Sequence, residues 1–352
     1  MRARLQPRGV GRSPDTSGGG HERESMDLDQ LFDRRLLVVA GKGGVGKTTV
    51  ACALALEASR RGRRTLVCEV DGVDRAAQLF QVEPAPLGEV LEARPNVFLM
   101  SVEGKAALAE YLGLIIPVRR LLRAVFNSRI YQYFVAAAPG LKELMTIGKI
   151  WYEAERTDEE TDERLWDLVI MDAPATGHSL QYLRMPAAAR DAFGAGLVKR
   201  EANRLVELLT DPDRTAVNLV ATAEEMPANE TVTMFEQLRG PLDMPTGFLF
   251  VNRVHDSDIS PTDVKRLTDA AARRRDAREK EILLEVAARA REESGWTRVN
   301  GHHLARLAED VAMPMIEIPF LYSEEFGFAE LRRVADAIVE ARASGRKGQR
   351  RA

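Results

Sequence analysis

Apolar residues along this chain gather into short, nearly continuous runs separated by longer stretches with helical spacing. The runs at 36–40, 65–70, 97–100, 166–172, 216–220, 247–251 and 315–320 have the length and density of strands buried on both faces. Between them, residues 48–58 carry Ala51, Leu54, Ala55 and Ala58 on one helical face, and 328–341 carry Leu331, Val334, Ala335, Ile338 and Val339. Seven strands alternating with helices predict one α/β domain over about 30–343, a doubly wound, mostly parallel sheet with helices on both faces. Residues 111–134, from Leu112, Leu114 and Ile115 to Ile130, Tyr131 and Phe134, hold more apolar surface than one helix on a sheet needs. Two helices packed on each other and on the sheet are the usual fate of such stripes. A helical subdomain, an insert over about 104–150 that binds a hydrophobic client or a partner subunit, is the other reading. Residues 264–293 mix Arg273, Arg274 and Arg275 with many carboxylates, which predicts a solvated helical hairpin and no nucleic-acid partner.

Chemistry concentrates where the first strand run ends. Gly41-Lys42-Gly43-Gly44-Val45-Gly46-Lys47-Thr48, followed by Thr49, fits G-x-x-x-x-G-K-[ST] between a strand and a helix, the context this motif requires. The glycines let successive N–H groups turn inward around a phosphate, and the positive end of the following helix favours the same anion. Lys47 supplies charge for the β- and γ-phosphates, and the Thr48 hydroxyl suits Mg²⁺. The segment therefore predicts a site for ATP with Mg²⁺. Two further strand runs end in carboxylates. Asp71 closes 65–70, where a carboxylate beside a phosphate loop can serve the metal or a water, and a helix N-cap is its bland alternative. Asp172 closes 166–172 as the Walker B aspartate that holds the Mg²⁺ shell.

Composition changes this picture little. With 45% hydrophobic and 29% charged residues the chain reads as a globular protein, and its net charge of −3 gives no electrostatic reason for nucleic acid or an anionic membrane. Cys52 and Cys68 lie in predicted core elements without a Cys-x-x-Cys partner, so neither a zinc site nor a disulfide framework is expected. No apolar run approaches the roughly 20 residues of a membrane span, and a cytoplasmic location is expected. Residues 1–25 and the basic end, 344–352, have no apolar periodicity and read as disordered, with Met26 a possible natural start.

Lys42, a second lysine in the phosphate loop, carries a resemblance. The stretch resembles the deviant Walker A of the P-loop NTPases that include ArsA, the tail-anchored-protein targeting ATPase, MinD, ParA and nitrogenase iron protein. Asp172-Ala173-Pro174-Ala175-Thr176-Gly177-His178-Ser179-Leu180 resembles the D-T-A-P-T-G-H-T-L-R segment of the ArsA branch. The resemblance implies an ATPase that forms a sandwich dimer, a homodimer or a heterodimer with a paralogous ATPase, with Lys42 reaching the nucleotide of the other subunit. It also implies that Asp71 orients the attacking water and that the Gly177 backbone senses the γ-phosphate. Asn252 would recognise adenine, and Pro319 belongs to the adenine-side loop. The family's D-P-A-H-N is here Asp71-Gly72-Val73-Asp74-Arg75, so only its first residue matches. The family implies a protein or membrane-associated partner without naming it. Two buried cysteines do not make the soft three-sulfur site that arsenite requires, and only Met185 lies in the region that bears client-binding methionines in the targeting branch. MinD- or ParA-like positioning and a non-hydrolytic, nucleotide-gated binding module are the alternative functions.

Overall fold

The run at 36–40 becomes the central strand of the molecule, β1 (Leu36–Gly41), with every position buried. A computed structural model describes residues 27–72, 74–115, 140–158, 160–175 and 179–349. The other strands are β2 (Thr65–Val70), β3 (Leu91–Arg94), β4 (Val97–Val102), β5 (Leu168–Asp172), β6 (Thr215–Thr222), β7 (Thr246–Val254) and β8 (Met315–Pro319). They form one sheet in the order β3-β4-β2-β5-β1-β6-β7-β8. All neighbours are parallel except β3 and β4. The chain leaves β1 toward β2 on one side and later returns to lay β6 on the other. That reversal opens a crevice at the carboxyl end of β1, where doubly wound sheets hold ligands.

Alternation along β1 divides the core in two. Leu36, Val38 and Ala40 face one side, and Leu37 and Val39 face the other. The second side is covered by α1 (Leu28–Phe32), α2 (Lys47–Arg60), α3 (Arg75–Phe80) and α11 (Phe328–Gln349). Helix α2 lies between the sheet and α11, so its residues from Val50 to Ala58 are all buried. On the first side, after α4 (Gly104–Ile115), pack α5 (Leu141–Glu155), α6 (Ser179–Ala192), α7 (Leu197–Thr210) and α8 (Glu225–Arg239). The helices α9 (Pro261–Ala272) and α10 (Ala277–Asp310) form a hairpin. Phe248 and Phe250 are completely buried, and removing either ring would cost ~3–5 kcal/mol.

The seven expected strands are present, and β3 is an eighth. It is a short, charged, antiparallel edge strand, so it lacks the apolar run that marks the others. Helix α6 passes through Pro186, and α10 continues well past residue 293. The basic end read as disordered from residue 344 continues the last helix as far as Gln349, a stretch without proline to stop it. Residues 1–25 and most of the 111–134 stripe lie outside the described residues. Both cysteines are free and buried. Among the described residues, no helix is long and apolar enough to cross a membrane.

Candidate functional site

The phosphate loop runs from the end of β1 into α2, and packing dictates its glycines. A Cβ on Gly41 would collide with the Val220 carbonyl of β6. Gly46 takes a left-handed φ of 97° and lies against the Asn252 amide, so it has neither conformational nor spatial room for a side chain. Gly43 and Gly44 are exposed at the crest, and Val45 is buried beneath them. Lys47 bends over the loop and donates to the Lys42 carbonyl at 3.1 Å. Partial burial lowers the pKa of its ammonium, opposed by nearby Asp172. A phosphate group would compete for that ammonium.

Thr48 and Asp172 meet across the crevice. The Thr48 hydroxyl donates to Asp172 Oδ2 at 2.6 Å, while the other carboxylate oxygen is buried with no hydrogen-bond partner. Burial pushes the Asp172 carboxyl up to about 7, with Thr48 and Lys47 acting in the opposite direction. An orphaned carboxylate oxygen beside a hydroxyl fits a hard divalent cation that keeps waters and substrate phosphates as its remaining ligands. Among the described residues, no cluster of three or more His, Cys, Asp or Glu side chains forms a metal cage.

Sequence patterns did not single out Glu69, yet it joins this group. It stands in β2 opposite Asp172 of β5, buried, and accepts hydrogen bonds from the backbone N–H groups of Arg75 and Ala76, each at 3.1 Å. It therefore ties the turn after β2 to the strand beside Asp172. A carboxylate inside an otherwise apolar strand was the available signal. Asp71, at the start of that turn, is exposed with a left-handed φ of 50°, and its carboxylate accepts a hydrogen bond from the Tyr182 hydroxyl. Asp74 also has a positive φ and accepts from Ser101 at 3.3 Å.

Lys42 does not join Lys47 over its own loop. Its ammonium pairs with Glu230 of α8 at 2.9 Å, and the side chain is 24% exposed. Asn252, near the end of β7, is buried; its amide nitrogen donates to the Val45 carbonyl at 2.9 Å and its oxygen accepts from Arg253 N. In this structure it braces the phosphate loop from within. Pro319 ends β8 opposite Val254 and is exposed, on the same side of the crevice as Asn252. Gly177, with Thr176 and His178, lies outside the described residues.

Known proteins share this arrangement in sequence. The family described as Anion-transporting ATPase matches residues 34–201, from β1 through the phosphate loop and both strand-ending aspartates to α7. ATPase BagA of Mycobacterium tuberculosis is 32% identical over 244 residues, covering 68% of this chain and 71% of that protein. An arsenical pump-driving ATPase of Acidiphilium multivorum is 28% identical over 237 residues, 62% of this chain and 39% of the relative. An ATPase ASNA1 homolog of Entamoeba dispar is 24% identical over 263 residues, covering 61% and 75% respectively. With this similarity laid over the phosphate loop and the Thr48–Asp172 pair, the chain belongs to the ArsA family and is an ATPase.

Proposed function

We propose that this ATPase works in the cytoplasm as a nucleotide-closed dimer, of two copies or with a paralogue, that couples its ATP cycle to a protein or membrane-associated partner. The observation carrying the proposal is the division of labour between two lysines. Lys47 already lies over the loop, while Lys42 leans out of its own cradle toward Glu230. A lysine the local phosphates do not need is available to a nucleotide in a facing chain, whose triphosphate would outcompete one partly exposed carboxylate. ATP then favours closure, and loss of the γ-phosphate relaxes it.

Within each site Lys47 opposes the β- and γ-phosphate charge, and Thr48 and Asp172 hold Mg²⁺. Mg²⁺ held by Thr48 and Asp172 would supply positive charge to offset the charge developing on the phosphates. Asp71 orients the attacking water by accepting its hydrogen bond. The Gly177 backbone, Pro319 and Asn252 complete the nucleotide contacts. Asn252 reaches adenine by exchanging its bond to Val45, which would make the loop's brace sensitive to the base bound.

Sedimentation velocity with ATP, ADP and no nucleotide tests the dimer. Association with ATP that is lost in Lys42→Ala, with ATP binding retained, is the expected result. Full ATP turnover by a strictly monomeric sample overturns it.

A further inference from the structure

Tyr182 belongs to none of the nucleotide-site motifs. It lies in the first turn of α6, which begins at Ser179, directly after the Thr176-Gly177-His178 stretch. Its ring is buried in the core cluster that contains Val70, Val102 and Leu183, and the residue is only 5% exposed. The hydroxyl emerges from that packing and donates to Oδ2 of Asp71. Phenylalanine would fill the same space, so the core does not call for this hydroxyl. Among the described residues, Asp71 is its hydrogen-bond partner, and no other side chain holds the Asp71 carboxylate.

Asp71 needs such a partner. It is exposed on a left-handed backbone at φ 50°, a region aspartate tolerates, so neither burial nor its own strand fixes where the carboxylate points. An unrestrained aspartate samples several side-chain rotamers, whereas a water must be held to within fractions of an ångström for in-line attack.

We propose that Tyr182 is a positioning residue for ATP hydrolysis. Its hydroxyl fixes one carboxylate oxygen of Asp71 and leaves the other to face the attacking water. The inference rests on the reading of Asp71 as the residue that orients water. Burial and the adjacent Asp71 carboxylate together drive the Tyr182 pKa well above its ordinary value, so the hydroxyl keeps its proton and remains a donor. Because Tyr182 rides on the helix following residues 176–178, a shift of that helix start changes where Asp71 points. The link joins the turn after β2 to the segment after β5 through one hydrogen bond.

The test is a double-mutant cycle on the full chain, with Tyr182→Phe and Asp71→Asn made singly and together. Tyr182→Phe should lower kcat by ~10–100-fold, the scale of a misplaced reacting group, with KM for ATP and thermal unfolding unchanged. In the Asp71→Asn background the same substitution should have no further effect. Wild-type kcat in Tyr182→Phe, with Asp71→Asn impaired, overturns the inference and leaves the Asp71 reading standing. Wild-type kcat in Asp71→Asn removes that reading and the inference with it. Equal losses in both backgrounds, or a fall in kcat that tracks a fall in unfolding temperature, show that Tyr182 acts through packing and also overturn the inference.

Discussion

Asp71 and Asp172 end neighbouring strands of one sheet, and each follows an apolar run, yet their surroundings are opposite. Asp172 is 5% exposed, bonded to Thr48, and has one oxygen without a partner. Asp71 stands in solvent on a left-handed backbone, held by a tyrosine that reaches it from another element. Position along the strand accounts for the difference. Asp172 is the last residue of β5, beside Glu69 of β2 and bonded to Thr48, whereas Asp71 lies one residue past the end of β2, in the turn. A buried carboxylate with a spare oxygen suits a fixed cation; an exposed one on a tethered turn suits a water whose position changes with the nucleotide.

Substitution should separate the two roles. The largest effect is expected at Asp71: Asp71→Asn should retain ATP binding and lose hydrolysis by ~10²-fold or more, the scale of a positioned acid–base group. Single-turnover assays near the wild-type rate would move the water-orienting role elsewhere, with Asp74 the next residue to test. Asp172→Asn should act on the metal instead, raising the Mg²⁺ concentration needed for half-maximal turnover by roughly tenfold or more, since a ligand contributes at least what its supporting shell does. A metal titration matching wild type would show that the two aspartates do not divide the labour this way.

The smallest effect concerns Lys42. Glu230→Gln removes a partly exposed ion pair, so ATP-driven association should strengthen by roughly two- to fivefold. Analytical ultracentrifugation measures this directly. Weaker association would mean that Glu230 aims Lys42 and does not compete for it.

Legibility from sequence followed the same divide between local pattern and long-range contact. The core strands, the phosphate loop and Asp172 were readable because buried runs and glycine spacing are local signals. Strand β3 escaped because an edge strand carrying Glu92 and Arg94 shows no apolar run. Glu69 was visible as a buried-strand residue, but its bonds to Arg75 and Ala76 depend on a turn whose path sequence does not specify. The Tyr182–Asp71 and Lys42–Glu230 pairs join residues over a hundred positions apart, and nothing in either local pattern announces the other member. For Asn252 the resemblance supplied an adenine contact, whereas the structure supplies a brace for the phosphate loop.

The most direct test of the trans lysine mixes Lys42→Ala with Asp71→Asn, each expected to be nearly inactive alone. In a mixed dimer, the site with native Asp71 faces a chain with native Lys42, so one site of the two is complete. Random mixing should restore about a quarter of wild-type turnover, because half of the dimers are mixed and each carries one competent site. No recovery from a mixture that sedimentation shows to be dimeric would place Lys42 in its own chain's site and contradict the account.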